Sequence, residues 1–109
     1  MNATTVRVPV LYGHSEAIHI DCKAPVTPDE ARSLLKEAPG VVLVDNPTKQ
    51  LYPTAMTHAV GKDEVFVGRI RQDLTSPNGL NLWVVADNVR KGAATNAVQI
   101  AEMLIKFYL

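Results

Sequence analysis

Few residues in this 109-residue chain carry side chains able to do chemistry, and most of them sort quickly. Cys22 is the lone thiol. It shares the apolar phase of an alternating stretch with Ile18 and Ile20, so it reads as a small buried hydrophobe rather than a nucleophile. The histidines are His14, His19 and His58, and their spacing matches no zinc signature. No metal site is expected. The glycine-rich turns that cradle dinucleotides or nucleoside phosphates are missing from the sequence. Gly68 stands alone in a strand pattern, where glycine marks a bulge or close packing.

Two constellations remain. Arg7 lies on the polar phase of an alternating stretch, and His14 follows a glycine where that alternation breaks. A guanidinium holds a carboxylate through two parallel hydrogen bonds, and an imidazole moves protons near neutral pH. The plainer reading of the pair is a solvated edge arginine and a loop histidine. The second constellation is Arg69, Arg71, Asp73, Asp87, Asn88, Arg90 and Lys91. It reads either as an anion site or as a cross-strand salt-bridge face, the commoner arrangement.

The elements that must position these residues follow from periodicity. In residues 4–12, Val6, Val8 and Val10 alternate with Arg7 and Pro9, which predicts a strand with a free edge or a bulge at Pro9. Residues 17–23 alternate again and predict a second strand or a continuation of the first. Thr27-Pro28-Asp29-Glu30 combines an N-cap, a first-turn proline and a capping-box glutamate. The helix that follows runs to residue 38 with Ala31, Leu34, Leu35 and Ala38 as its buried stripe. Residues 41–44 are all apolar, as in a strand covered on both faces. Residues 64–72 and 80–86 read as the two strands of a hairpin joined through Ser76-Pro77-Asn78-Gly79. Residues 92–106 form an alanine-rich amphipathic helix whose small-residue stripe allows another element to approach closely. The sum is an α+β fold, a mixed or antiparallel β-sheet covered by helices.

Composition narrows the class further. Hydrophobic residues are 47% and charged residues 20%, in the range of a folded globular chain. The formal charge is zero, without the basic excess of a nucleic-acid binder. No apolar run is long enough to cross a bilayer. No secretion signal opens the chain and one cysteine allows no internal disulfide, so a cytoplasmic location is expected.

The strings RVPVLYGHSEA, FVGRIR and LWVVADNVRKGAATNAVQIAE, in this order, resemble the C-terminal part of bacterial aspartate-β-semialdehyde dehydrogenase. The resemblance implies that residues 1–109 are a single domain, a C-terminal part of the catalytic and dimerisation domain, with the N-terminal NADP-binding domain absent. It implies a homodimer formed through the sheet. It also implies NADPH-dependent reduction of aspartyl-β-phosphate to aspartate semialdehyde with phosphate release, a step toward lysine, methionine and threonine. On that reading Arg7 pairs with the substrate α-carboxylate. His14 is general acid/base toward the nucleophilic cysteine and the hydride-accepting thioester, and Asn88 touches the nicotinamide amide. NADP belongs to the intact enzyme and is not expected on this chain alone. The family's Asn-Cys-Ser nucleophile segment has no counterpart here, and Cys22 is not its equivalent. The chain is therefore expected to be inactive in isolation, with an exposed apolar face on its last helix. The alternatives are a stand-alone dimerisation or ligand-binding module without catalysis, and a small enzyme using His14.

Overall fold

The computed structural model describes residues 2–109. Its centre is a four-stranded sheet in the order β1-β4-β3-β2. β1 is His14–Asp21, β2 is Val41–Leu43, β3 is Val65–Gln72 and β4 is Gly79–Ala86. β1 and β3 both run antiparallel to β4, while β2 runs parallel to β3. The sheet is mixed, as the pattern predicts.

Helix α1, Pro28–Glu37, begins as its sequence dictates. The Thr27 hydroxyl accepts from the Glu30 amide at 3.2 Å, and the Glu30 carboxylate accepts from the Thr27 amide at 2.7 Å. These bonds satisfy two of the donors a helix start leaves open. Ala31 of α1 packs on Val67, Ile70 and Leu80, with Leu35 and Val84 at the margin. Leu34, expected in that stripe, is 69% exposed. The sheet under α1 is narrow, and Leu34 faces outward with Pro25 and Val26 instead.

The opposite face of the sheet carries a second core of Phe66 and Val85 under Ala59. Ala59 comes from a wide helical turn, Ala55–Ala59, that the sequence did not disclose. Pro53 is fully buried beside it. A β-carbon on Gly68 would overlap the Val44 carbonyl oxygen and the Pro53 ring. The β3–β4 register also shifts between Gly68 and Arg71. Gly68 thus provides both close packing and a bulge. β2 is covered less fully than its all-apolar sequence suggests, since Val42 is exposed.

The strand expected over residues 4–12 does not form. Val6, Val8 and Val10 are all more than half exposed. Alternation supplies two faces, but a strand also needs a neighbour for its ladder. β1 and β2 are the edges of the sheet, and residues 4–12 pair with neither, while Pro9 removes a donor. The second predicted strand is real, displaced to begin at His14.

Helix α2, Thr95–Tyr108, follows a wide turn at Arg90–Ala94. It begins a few residues later than predicted. None of its residues is buried. Its alanine-rich stripe is therefore not a core stripe within this chain.

Candidate active site

His14 is the first residue of β1 and pairs with Ala86, the last residue of β4. The backbone is forced into shape just before it. Gly13 has φ of 91°, a region L side chains rarely adopt, and an added β-carbon would lie 2.8 Å from the Ala55 side chain. Its amide lies outside the β1–β4 ladder. It donates instead to the Asn88 Oδ1 at 2.8 Å. His14 and Asn88, singled out separately in the sequence, are thus brought to one end of the sheet. His14 itself is exposed there.

Asp87 anchors the segment that carries Asn88. Its carboxylate accepts from the amides of Gly61 at 2.8 Å, Val89 at 2.9 Å and Arg90 at 3.1 Å. The Gly61 and Arg90 amides, in that order, hold its pKa below the usual carboxylate value against the cost of burial. Arg90 forms two hydrogen bonds with Asp63, at 2.7 and 2.9 Å. Thr95 also donates to Asp63. These bonds to Arg90 and Thr95 lower the Asp63 pKa. The end of β4, the 61–63 turn and the start of α2 are therefore one polar framework behind His14. Asp63 did not stand out in the sequence, whereas Gly13 marked the break in alternation before His14.

Arg7 sits seven positions before His14 on the open segment and is exposed. The structure does not place it on a strand. Its local order includes a tight turn in which the Val10 amide donates to the Val8 carbonyl at 2.8 Å.

Cys22 lies just past the far end of β1, where its amide donates to the Asn78 carbonyl at 3.0 Å. It is partly buried. At the rise of a strand it is roughly 26 Å from His14 along β1, too far for a thiol–imidazole pair.

The second constellation does not form one site. Asp73 lies at the opposite end of the hairpin, where it contacts His19 Nδ1 at 2.8 Å. Its carboxylate also takes the Thr75 hydroxyl and the Ser76 amide. Arg69 stacks over Tyr52, and Arg71 donates to the Arg69 carbonyl. Lys91 donates to Gln99. The members divide between the two ends of the hairpin, because it spaces Asp73 and Asp87 a full strand apart. Among the described residues no group of three or more His, Cys, Asp or Glu side chains is placed to hold a metal ion.

A family model described as the semialdehyde dehydrogenase dimerisation domain matches residues 1–91. The chain belongs to this family. Aspartate-semialdehyde dehydrogenase of Legionella pneumophila is 66% identical over 109 residues, all of this chain and 31% of that protein. The enzyme of the same name from Aquifex aeolicus is 58% identical over 106 residues, 97% of this chain and 31% of its own length. A crystal structure of aspartate semialdehyde dehydrogenase II from Vibrio cholerae superposes with a TM-score of 0.85 at 50% identity, covering 94% of this chain and 30% of that one. The semialdehyde dehydrogenase dimerisation-domain chain thus spans about a third of the length of the curated relatives it matches. The expected mixed sheet with helices is borne out by this superposition. No helix among the described residues is long and apolar enough to cross a membrane.

Proposed function

We propose that this chain is the dimerisation and substrate-facing portion of an aspartate-semialdehyde dehydrogenase. The whole enzyme would reduce aspartyl-β-phosphate to aspartate semialdehyde, releasing phosphate. The observation that carries this reading is the match along the whole chain to relatives of that name, at up to 66% identity among those compared. It favours an enzyme portion over a stand-alone binding module.

On this reading Arg7 holds the substrate α-carboxylate through its forked N–H donors. His14 moves the proton that the nucleophilic cysteine must lose, and returns it as the reaction proceeds. The thiolate comes from residues outside this chain, since Cys22 is at the wrong end of β1. NADPH would supply the hydride when bound. Asn88 fits its carboxamide, because Oδ1 is taken by Gly13 and the Nδ2 hydrogens remain to donate. The partners are then an NADP-binding domain, which the exposed apolar face of α2 suits, and a second copy joined through the sheet. A cytoplasmic location suits this chemistry.

The test is reassembly. The purified chain is assayed for NADP- and phosphate-dependent oxidation of aspartate semialdehyde, alone and co-expressed with the preceding two thirds of the Legionella pneumophila relative. Activity is expected only in the reassembled complex, with loss on His14→Ala. Turnover by the isolated chain, or a folded complex indifferent to His14→Ala, overturns the reading.

A further inference from the structure

We propose that Asn88 is the positioning residue of His14, acting through the backbone of Gly13. The Gly13 amide stands one residue before the first rung of the β1–β4 ladder, His14 opposite Ala86. Partly buried and outside that ladder, the amide needs an acceptor. Asn88 Oδ1 supplies one at 2.8 Å across 75 residues of sequence. An amide N–H can only donate, so the side-chain atom facing it must be the oxygen. The ladder fixes His14 from the β1 side, and the Asn88 bond fixes the chain that enters it. Without that bond Gly13 is the hinge, a flexible residue between the open segment before it and the ladder that begins at His14.

Asn88 can bear this load because it is itself held. Asp87 binds the amides on both sides of the segment, at Gly61 and at Val89 and Arg90. Gly92 donates back to the Asp87 carbonyl at 3.0 Å. Adjacent residues thus make two ties, Asp87 to the 61–63 turn and Asn88 to the entry of β1.

The two ends of the Asn88 amide are separable. Its oxygen serves Gly13, and its NH2 group is left free for the cofactor contact that the function proposed above assigns to it. That His14 is a proton carrier rests on the function proposed above, but the clamp does not. Asn88→Asp keeps an oxygen acceptor and removes the NH2 donor. Asn88→Ala removes both.

The experiment is NMR on the 109-residue chain. In Asn88→Ala the Gly13 amide is expected to exchange about tenfold faster, the effect of losing one ordinary hydrogen bond. The backbone order parameter at His14 is expected to fall from about 0.85 toward 0.6. Exchange and order at Asp73 and Thr75, at the far end of the hairpin, stay as they were. Asn88→Asp restores both values at Gly13 and His14. A global loss of stability would move both ends together and is thereby distinguished. Unchanged exchange at Gly13 in Asn88→Ala, or an equally ordered His14, overturns the proposal. None of these readouts needs catalysis, so their failure is independent of any failure of the reassembly assay.

Discussion

The Asp45 carboxylate, with 2% of its side chain exposed, accepts from Arg32 Nε at 2.8 Å. It also accepts from the amides of Arg69 at 2.7 Å and Ile70 at 3.2 Å. β2 ends at Leu43, so on that side of β3 these two amides have no strand to pair with. A side chain takes the place of the missing ladder and holds Arg69 at φ of 51°. Burial alone would lower the Arg32 pKa, but hydrogen bonds to Asp45 and Asp29 outweigh it and leave the guanidinium's pKa raised. Asp45→Ala is expected to cost about 2–3 kcal/mol, because two amides lose their acceptor while Arg32 keeps Asp29 and the Ile70 carbonyl. Asp45→Asn, which retains one acceptor, is expected to cost less. Urea unfolding with an unchanged slope checks this, and a loss below about 1 kcal/mol for Asp45→Ala contradicts it.

Two glycines separate conformational strain from collision. Gly40 has φ of 74° with open space around it, so Gly40→Ala is expected to cost about 1–2 kcal/mol from the left-handed backbone alone. At Gly68 the obstruction is the backbone of Val44 and a fully buried proline, neither of which can swing away. Gly68→Ala is expected to destabilise by more than Gly40→Ala, or to prevent folding. Thermal midpoints of the two variants, measured side by side, decide it. Equal midpoints contradict the close-packing account.

These residues also show how far the sequence could be read. The capping box at Thr27 and Glu30 was legible because it is local, confined to four consecutive positions. The β3–β4 hairpin was legible for the same reason. Gly68 declared that something was close, without naming Val44 or Pro53. The strand expected at residues 4–12 failed because alternation records faces and not neighbours. Asp45 was invisible, since its partners Arg32 and Arg69 are 13 and 24 residues away. In the site, His14 and Asn88 were each visible by residue type and resemblance. Their connection through Gly13 spans 75 residues and no local pattern encodes it.

Acid should unpick the far end of the hairpin in a predictable order. The Asp73 pKa is lowered to about 2, chiefly by the Thr75 hydroxyl and amide, with help from the Ser76 amide and Asn81. Its ordinary value is 3.8. A depressed folded-state pKa adds stability above the unfolded value, and that contribution is lost as pH falls toward the folded one. The Asp73 share is therefore present above pH 3.8 and gone below about pH 2. Asp73→Asn is expected to flatten the fall of unfolding free energy between those limits. Glu30, Asp63 and Asp87 are also lowered, so a residual slope remains. An identical slope in Asp73→Asn contradicts the assignment.

The outer face of α2 offers a test of where its apolar residues belong. Ile100 is 53% exposed and Phe107 58% exposed. In the isolated chain, replacing them with lysine removes little buried contact. The double variant Ile100→Lys, Phe107→Lys is expected to change unfolding free energy by no more than about 0.5 kcal/mol. It is also expected to reduce self-association in sedimentation, because the wild-type chain carries an uncovered apolar face. A cost above about 2 kcal/mol would mean that α2 packs on this chain's own core and needs no further partner.

Arg7 and His14 are assigned different tasks, so their variants should fail differently in the reassembled enzyme. Arg7→Lys keeps the charge but loses the forked donor geometry that matches a carboxylate. The expected result is a rise of about tenfold or more in KM for aspartate semialdehyde, with a smaller change in kcat. His14→Gln keeps polarity and approximate size but cannot carry a proton. There kcat is expected to fall about 10²–10⁴-fold with KM little changed, and one limb of the pH–rate profile should vanish. The profile is the sharper readout. A misplaced but merely structural histidine would lower the rate at every pH alike, whereas a proton carrier takes its own titration with it when removed. Retention of both limbs in His14→Gln, or a KM effect confined to His14, reverses the assignment.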